Sequence, residues 1–427
     1  MKDRNLGTAR RAGLAVAAAM LAAAAGEGTP AAAAGAPSAA CTPQTAYVAT
    51  ISKVTLDAVV MPINTCTNTA GPAIPVGPYP SAIAITPNGA TAYVLTNGLS
   101  RGGVTPISTR TNTAGPAIDV DLFPGPIAIT PNSATVYVMN SFDNTVTPIS
   151  TRTNTAGQPV PVGVEPNAMA IAPNGATVYT ASDFWEGTTG SVTPISTRIN
   201  EAGPPIPAGD NPSAIAFTPN SATAYVVDSG AVTPISTKTS KAGRAIPIGP
   251  GPGGAIAITP NGATAYALSP SSGIVTPIST KTNKAGPPIT VGPDPQAIAI
   301  TPNSATAYVL NSDSVTPIST RTNKAGRPIP VGPGARAIAI TSNGATAYVV
   351  NDSEDGTVTP ISTKTNKAGP AIPAGLGPVA IAITPRKSLP APPAHAAAAG
   401  HHRGVMSRRC WRGGVPRLGR LPRGLRR

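Results

Sequence analysis

The chain has 427 residues, with 31 Lys and Arg against 17 Asp and Glu, a formal net charge of +14, 4% aromatic residues and three cysteines. Eleven of the bases and no acid lie in residues 386–427, residues 1–40 add four bases and two acids, and residues 41–385 balance 16 bases against 15 acids, which excludes a uniformly basic body of the kind that coats nucleic acid. All three histidines (His395, His401, His402) fall in the C-terminal segment, so residues 41–385 exclude a Ser-His-Asp triad and lack the commonest general base and metal ligand.

Residues 1–40 read as an export signal. Lys2, Arg4, Arg10 and Arg11 form a basic start, and Ala12 to Ala25 is an apolar run too short to span a membrane. The Arg10-Arg11 pair leaves both the general secretory and the twin-arginine route open. The expectation is an exported protein, secreted or held at the cell surface, without a membrane span.

From residue 41 one phrase recurs eight times. It reads A-I-A-I-T-P-N-G-A-T-A-Y-V, a variable stretch, V-T-P-I-S-T-R-T-N-T-A-G, then P-I-P-V-G, and its tyrosines are Tyr47, Tyr93, Tyr137, Tyr179, Tyr225, Tyr266, Tyr308 and Tyr348. Periods near 40 residues signal propellers, solenoids or arrays. Runs rich in Val, Ile, Thr and Tyr between Pro, Asn, Gly and Ser are strand signals. In the second copy the pattern predicts strand A at Ala82–Thr86, B at Thr91–Leu95, C at Val104–Ser108 and D at Ala117–Val120. Pro87-Asn88-Gly89-Ala90 is a tight A–B turn. At the Gly89 position the copies alternate Gly and Ser, so either the site accepts negative φ or the preceding Asn takes the left-handed conformation. Strand C carries a proline in every copy, Pro106 in this one, which predicts a bulge or full pairing on one side only.

The first copy lacks A-I-A-I-T, and the last A-I-A-I-T (Ala380 to Thr384) has nothing after it. A four-stranded sheet alone has exposed edges, and radial repetition protects them. An open solenoid would need capping repeats, and none is visible. The fold expected is therefore all-β: a β-propeller of about eight four-stranded blades over residues 41–385, closed by strand 380–384 joining the N-terminal blade, and monomeric.

The stretch A-I-A-I-T-P-N-G-A-T-A-Y-V-L-T-N (Ala82 to Asn97), followed by V-T-P-I-S-T-R-T-N-T-A-G, resembles the YVTN-type β-propeller repeat of bacterial surface-layer-like and exported propeller proteins, itself similar to lactonase-type propellers. The resemblance covers about residues 41–385. It implies fold and export and no single activity. The departure is V-T-P-I-S, where the family usually has a strand without proline.

Aligning the first copy on Tyr47 puts Cys41 at the A–B turn position and Cys66 at the C–D turn. Both lie at one end of the blade, so a Cys41–Cys66 disulfide is predicted, pinning the N-terminus where the ring closes; an exported protein permits it. Two unpaired thiols, or lipidation of Cys41, are the other readings. Residues 386–427 show no strand pattern and are expected to be a disordered basic tail, either an arm for polyanions or an extension without function.

Charge segregates by loop. The C–D turns carry Arg110, Arg152, Arg198, Lys238, Lys281, Arg321 and Lys364, joined by Lys241, Lys284, Lys324, Lys367, Arg244 and Arg327, against one acid, Glu201. The B–C loops carry Asp143, Asp183, Glu186, Asp228, Asp313, Asp352, Glu354 and Asp355, with Phe184 and Trp185 in the longest. Variable loops on a rigid scaffold are where specificity resides. Asp143, Asp183, Phe184, Trp185, Glu186, Asp228, Asp313, Asp352, Glu354 and Asp355 are therefore the candidate ligand-binding set, for an extracellular protein or glycan. The basic face is the candidate for anionic wall polymers. Its turns lack the aromatics a nucleic-acid groove needs. Asp352, Glu354 and Asp355 could hold Ca²⁺ weakly, without the full calcium-loop spacing; no other cofactor or metal is expected. The sequence favours an exported binding scaffold, with a lactonase-like hydrolase using carboxylates at the channel as the enzymatic alternative.

Overall fold

The computed structural model describes residues 41, 43–51, 57–98, 101–183, 189–249, 251, 253–353 and 355–386. The export-signal segment, Phe184, Trp185, Glu186, Glu354 and the tail beyond Arg386 lie outside the described residues. Eight antiparallel sheets are present, and in each the order is A–B–C–D from the centre of the ring outward.

Blade 2 shows the pattern. Strand A is Pro80–Ile85, B is Thr91–Asn97 and C is Gly102–Ser108. Strand B is buried on both faces along most of its length, as a strand sandwiched between neighbouring blades must be. Tyr93 sits opposite Pro106 and Val94 opposite Thr105.

The outer strand differs from the single strand D expected. It is two short pieces, Thr113–Ala114 and Ile118–Val120, which pair with opposite ends of strand C. Pro106 is the reason. Strand C pairs with B without a break, while the missing N–H of Pro106 falls on the outer side, where D is interrupted. The Pro106 carbonyl still accepts the Gly115 amide at 2.8 Å. A Cβ on Gly115 would sit 3.2 Å from the Pro106 ring, tighter than ordinary packing, so the A-G dipeptide after each turn accompanies the proline in each blade. Of the two alternatives left by the sequence, full pairing on one side only is the one realised.

The A–B turns hold a second correction. Ser133, Ser221 and Ser304 themselves take positive φ, of 62°, 59° and 59°, as Gly89, Gly175, Gly262 and Gly344 do. The preceding Asn instead caps the turn, with Asn88 Oδ1 accepting the Ala90 amide. The serine strain is offset across the blade boundary: the amides of Asn88, Asn174 and Asn261 donate to the hydroxyls of Ser133, Ser221 and Ser304 at 2.9–3.0 Å. The Gly copies face the proline of the preceding blade; a Cβ on Gly175 would lie 3.1 Å from Pro131. The alternation is thus an alternation of interfaces.

The core lies between blades. One cluster joins Tyr47, Val60 and Ile74 of blade 1 to Ile83, Val94 and Ile107 of blade 2, and the closing cluster joins Tyr348 and Val358 of blade 8 to Val48, Ile63 and Ile381 of blade 1. The last strand, Leu376–Ile383, pairs with Thr45–Ile51, with Tyr47 opposite Ala382. Thr45 and Thr384 exchange two further hydrogen bonds, at 2.9 Å each. Cys41 and Cys66 are disulfide-bonded with their Cα atoms 5.7 Å apart, beside this seam.

Candidate functional site

Seven of the eight C–D turns are built around an asparagine not singled out from the sequence. Asn112 takes a φ of 54°, and its amide closes the turn on the Ser108 carbonyl at 2.8 Å. Asn is the non-glycine residue best suited to that conformation. Its side chain accepts the buried phenol of the preceding blade: Tyr47 bonds Asn112, Tyr93 bonds Asn154 at 2.7 Å, Tyr137 bonds Asn200 at 2.6 Å, and so on to Tyr348, which bonds Asn68 at 2.7 Å and closes the circle. In blade 5 Ser240 replaces Asn and serves Tyr179. Desolvation pushes Tyr47, Tyr93, Tyr137, Tyr266, Tyr308 and Tyr348 up to about 12. The signal in the sequence was the recurrence of Tyr and of the turn asparagine in the copies; what hid it is that the two partners lie 57–65 residues apart in blades 1–3 and 5–7, and at opposite ends of the chain for Tyr348.

These latched turns hold the bases outward. Arg110, Arg152, Arg198, Lys238, Lys281, Arg321 and Lys364 are all exposed. The C–D and A–B turns share a face, since Thr109 Oγ1 donates to the Ala90 carbonyl at 3.0 Å. The bases are unevenly spread. Blades 5–8 hold Lys238, Lys241, Arg244, Lys281, Lys284, Arg321, Lys324, Arg327, Lys364 and Lys367, ten of the thirteen, whereas blades 2–4 hold one each and Glu201. Successive blades touch along the outer rim within this arc, so the basic face is a crescent covering half the ring.

On the opposite face the predicted acids serve the structure. Asp143 accepts the Leu122 amide at 2.8 Å, tying the B–C loop of blade 3 to the link preceding it. Asp228 is 3% exposed. It ends strand B at the position that is Asn140, Asn311 and Asn351 elsewhere, and accepts bonds from the Ala231 amide and the Thr233 hydroxyl. Burial raises its carboxyl, with those bonds opposing and Asp210 adding slightly. Asp352 takes two contacts from the Arg336 guanidinium. That pairing neutralises the carboxylate proposed for Ca²⁺, and among the described residues no group of three or more His, Cys, Asp or Glu side chains is placed to hold a metal. Asp183 is half-buried, and Asp313 and Asp355 are exposed on their own loops. Among the described residues, Asp143, Asp183, Asp228, Asp313, Asp352 and Asp355 are spread over the loops of different blades.

The inner strands carry A-I-A-I and close variants, and their one charged residue is Arg336. Among the described residues no carboxylate lies on the strands that surround the channel.

The fold and these two faces define a β-propeller whose repeated residues are scaffold. No family model matches the chain, and no curated protein does. Among solved structures it is similar to Kuenenia stuttgartiensis hydrazine synthase, at 19% identity and a TM-score of 0.56 over 67% of this chain and 96% of that one. It is also similar to the dihydro-heme d1 dehydrogenase NirN, at 14% identity and a TM-score of 0.64 over 79% of this chain and 74% of that one. A third, a functionally unknown protein from Desulfotomaculum acetoxidans, aligns at 16% identity and a TM-score of 0.54 over 66% of this chain and 96% of that one. At these identities the likeness is one of fold.

Proposed function

We propose that this chain is an exported β-propeller scaffold of the YVTN-like kind that binds an anionic polymer on its C–D face. The observation that carries the reading is the basic crescent of blades 5–8. Its ten bases are exposed and, among the described residues, none forms an ion pair with an acid; the Arg336–Asp352 ion pair lies on the other face. Such a surface attracts a repeating polyanion through many weak, simultaneous contacts. The Cys41–Cys66 disulfide supports export, because disulfides persist in oxidising compartments, and among the described residues no helix is long and apolar enough to cross a membrane. The hydrolytic alternative needs carboxylates at the channel, and the inner strands supply none. The reactions of hydrazine synthase and NirN belong to those proteins.

The test is salt elution of the full chain from immobilised polyphosphate. Replacing Lys238, Lys241, Lys281, Lys284, Arg321 and Lys324 by Ser should lower the eluting salt markedly, since counterion-dominated binding scales with the number of contacts. The C-terminal segment with its eleven bases is present in both proteins, so the difference reports the ring. Equal elution of the two would overturn the proposal.

A further inference from the structure

The face opposite the basic crescent carries exposed aromatic rings. The link from strand D to strand A places one residue at positive φ just before the inner strand. Along the chain this residue is Asn211 before blade 5, Asp294 before blade 7 and Gly334 before blade 8. Those are the residue types that tolerate the left-handed region. Before blades 2, 3 and 4 it is Tyr79, Phe123 and Glu165, at φ 49°, 50° and 50°. A bulky ring there is strained, and such strain persists where function requires it. Neither ring buys burial in return: Tyr79 is 64% and Phe123 52% exposed.

A third ring adjoins Phe123. Phe142, in the B–C loop of blade 3, is 66% exposed and lies 6.0 Å from Phe123, centroid to centroid, tilted by 50°. The loop that presents it is fixed on both sides. Asp143 accepts the Leu122 amide and Asn144 Oδ1 accepts the Glu165 amide, each at 2.8 Å. The Ser141 amide donates to the Phe123 carbonyl at 3.2 Å, as the Asn97 amide does to that of Tyr79 at 3.1 Å. The rings are thus held in place before any ligand arrives.

The geometry points to a carbohydrate-binding platform formed by Tyr79, Phe123 and Phe142 on blades 2 and 3, taking a polysaccharide without negative charge. Rings stack on the apolar faces of sugars, while neighbouring carboxylates accept hydroxyl protons. The size of the patch favours a sugar chain over a protein, and its charge disfavours an anionic polymer. At 52–66% exposure the three rings offer roughly 350 Å², less than half of the roughly 800 Å² per partner that a standard protein interface buries. The flanking charges are one base, Arg101, against Asp119, Asp121, Asp143 and Glu165, an acidic balance that repels an anionic polymer. The platform is therefore distinct in chemistry and position from the basic crescent, and its test does not depend on that reading.

The experiment uses the full chain and the variant Tyr79→Asn/Phe123→Asn/Phe142→Ser. Asn already occupies this position as Asn211. The probes are insoluble chitin and cellulose, their soluble hexasaccharides, and poly-lysine as the basic-polymer control. The expected result is saturable binding to one of the two glycans, weakened at least tenfold in the variant, with an unchanged or higher Tm because the strained rings are gone. The proposal is overturned if the unaltered chain binds neither glycan, or if the variant binds as well as it does. A Tm lowered in the variant by more than a few degrees would make the rings structural and overturn it too. Ring-dependent binding of poly-lysine without glycan binding would assign the platform to a basic peptide instead.

Discussion

Raising the pH should unfold the ring through its tyrosines. Each of the eight repeated phenols is buried between blades and donates to the turn of the next blade or its equivalent. Six of them are pushed from 10.0 up to about 12, and Tyr179 and Tyr225 shift the same way, all by desolvation first. A raised pKa means that the folded state holds the proton more tightly than the unfolded chain. The stability this represents is whole below pH about 10 and is lost as pH climbs from 10 towards 12. At pH about 11 each of the six phenols disfavours the fold by about 1.4 kcal/mol, so six remove roughly 8 kcal/mol. That is comparable with the roughly 5–15 kcal/mol of net stability a folded domain has. Phenolate absorbance and far-ultraviolet circular dichroism, followed together against pH, should therefore change in one shared step near pH 11. If the bulk of the phenolate instead appears near pH 10 while the β signal stays intact, the phenols are reachable by hydroxide in the fold and the latch argument is refuted.

Three further outcomes follow from the same contacts. Cys41→Ser or reduction should remove about 3 kcal/mol for a closed loop of 25 residues and lower Tm by roughly 5 °C; thermal scans with and without reductant check it, and identical scans would count against a formed bridge. Ser240→Asn should raise Tm, because Asn suits the positive φ of 51° at that turn and restores the acceptor that the other blades offer Tyr179's counterparts; a lower Tm would show that blade 5 needs serine. Asp228→Asn should stabilise the protein at neutral pH, since the carboxylate is buried where other blades carry Asn. The wild type regains stability as pH falls through the raised carboxyl pKa, so denaturant midpoints of the two proteins should converge on acidification; a gap that widens would refute this.

Much of the fold was legible because the repeat prints each local rule eight times. Alternating Ala and Ile, the P-N-G turn and the displaced A-I-A-I-T predicted strands, blade count and closure, and the Cys41–Cys66 pairing followed from placing two turns at one end of a blade. The site was less legible. Asp228 reads as a loop carboxylate in sequence, yet just past the end of strand B it is buried and bonded to the Ala231 amide and the Thr233 hydroxyl. Tyr79 and Phe123 look like ordinary link residues, because backbone φ and exposure are not written in residue type. Arg336 and Asp352 are 16 positions apart, and only the A–B pairing brings them together.

The sequence by itself determined what depends on period and local conformation: the placement of strands A to C, turn position, the proline beside the interrupted outer strand, and the spare strand that closes the ring. The tertiary structure decided what depends on neighbours in different blades. Tyr348 meets Asn68, the serines at positive φ meet the amides of the adjoining blade, and the bases gather on one arc while the exposed rings gather on the other face. Those meetings arise only when the sheets are arranged around an axis, because radial packing, not chain order, sets which side chains share a boundary.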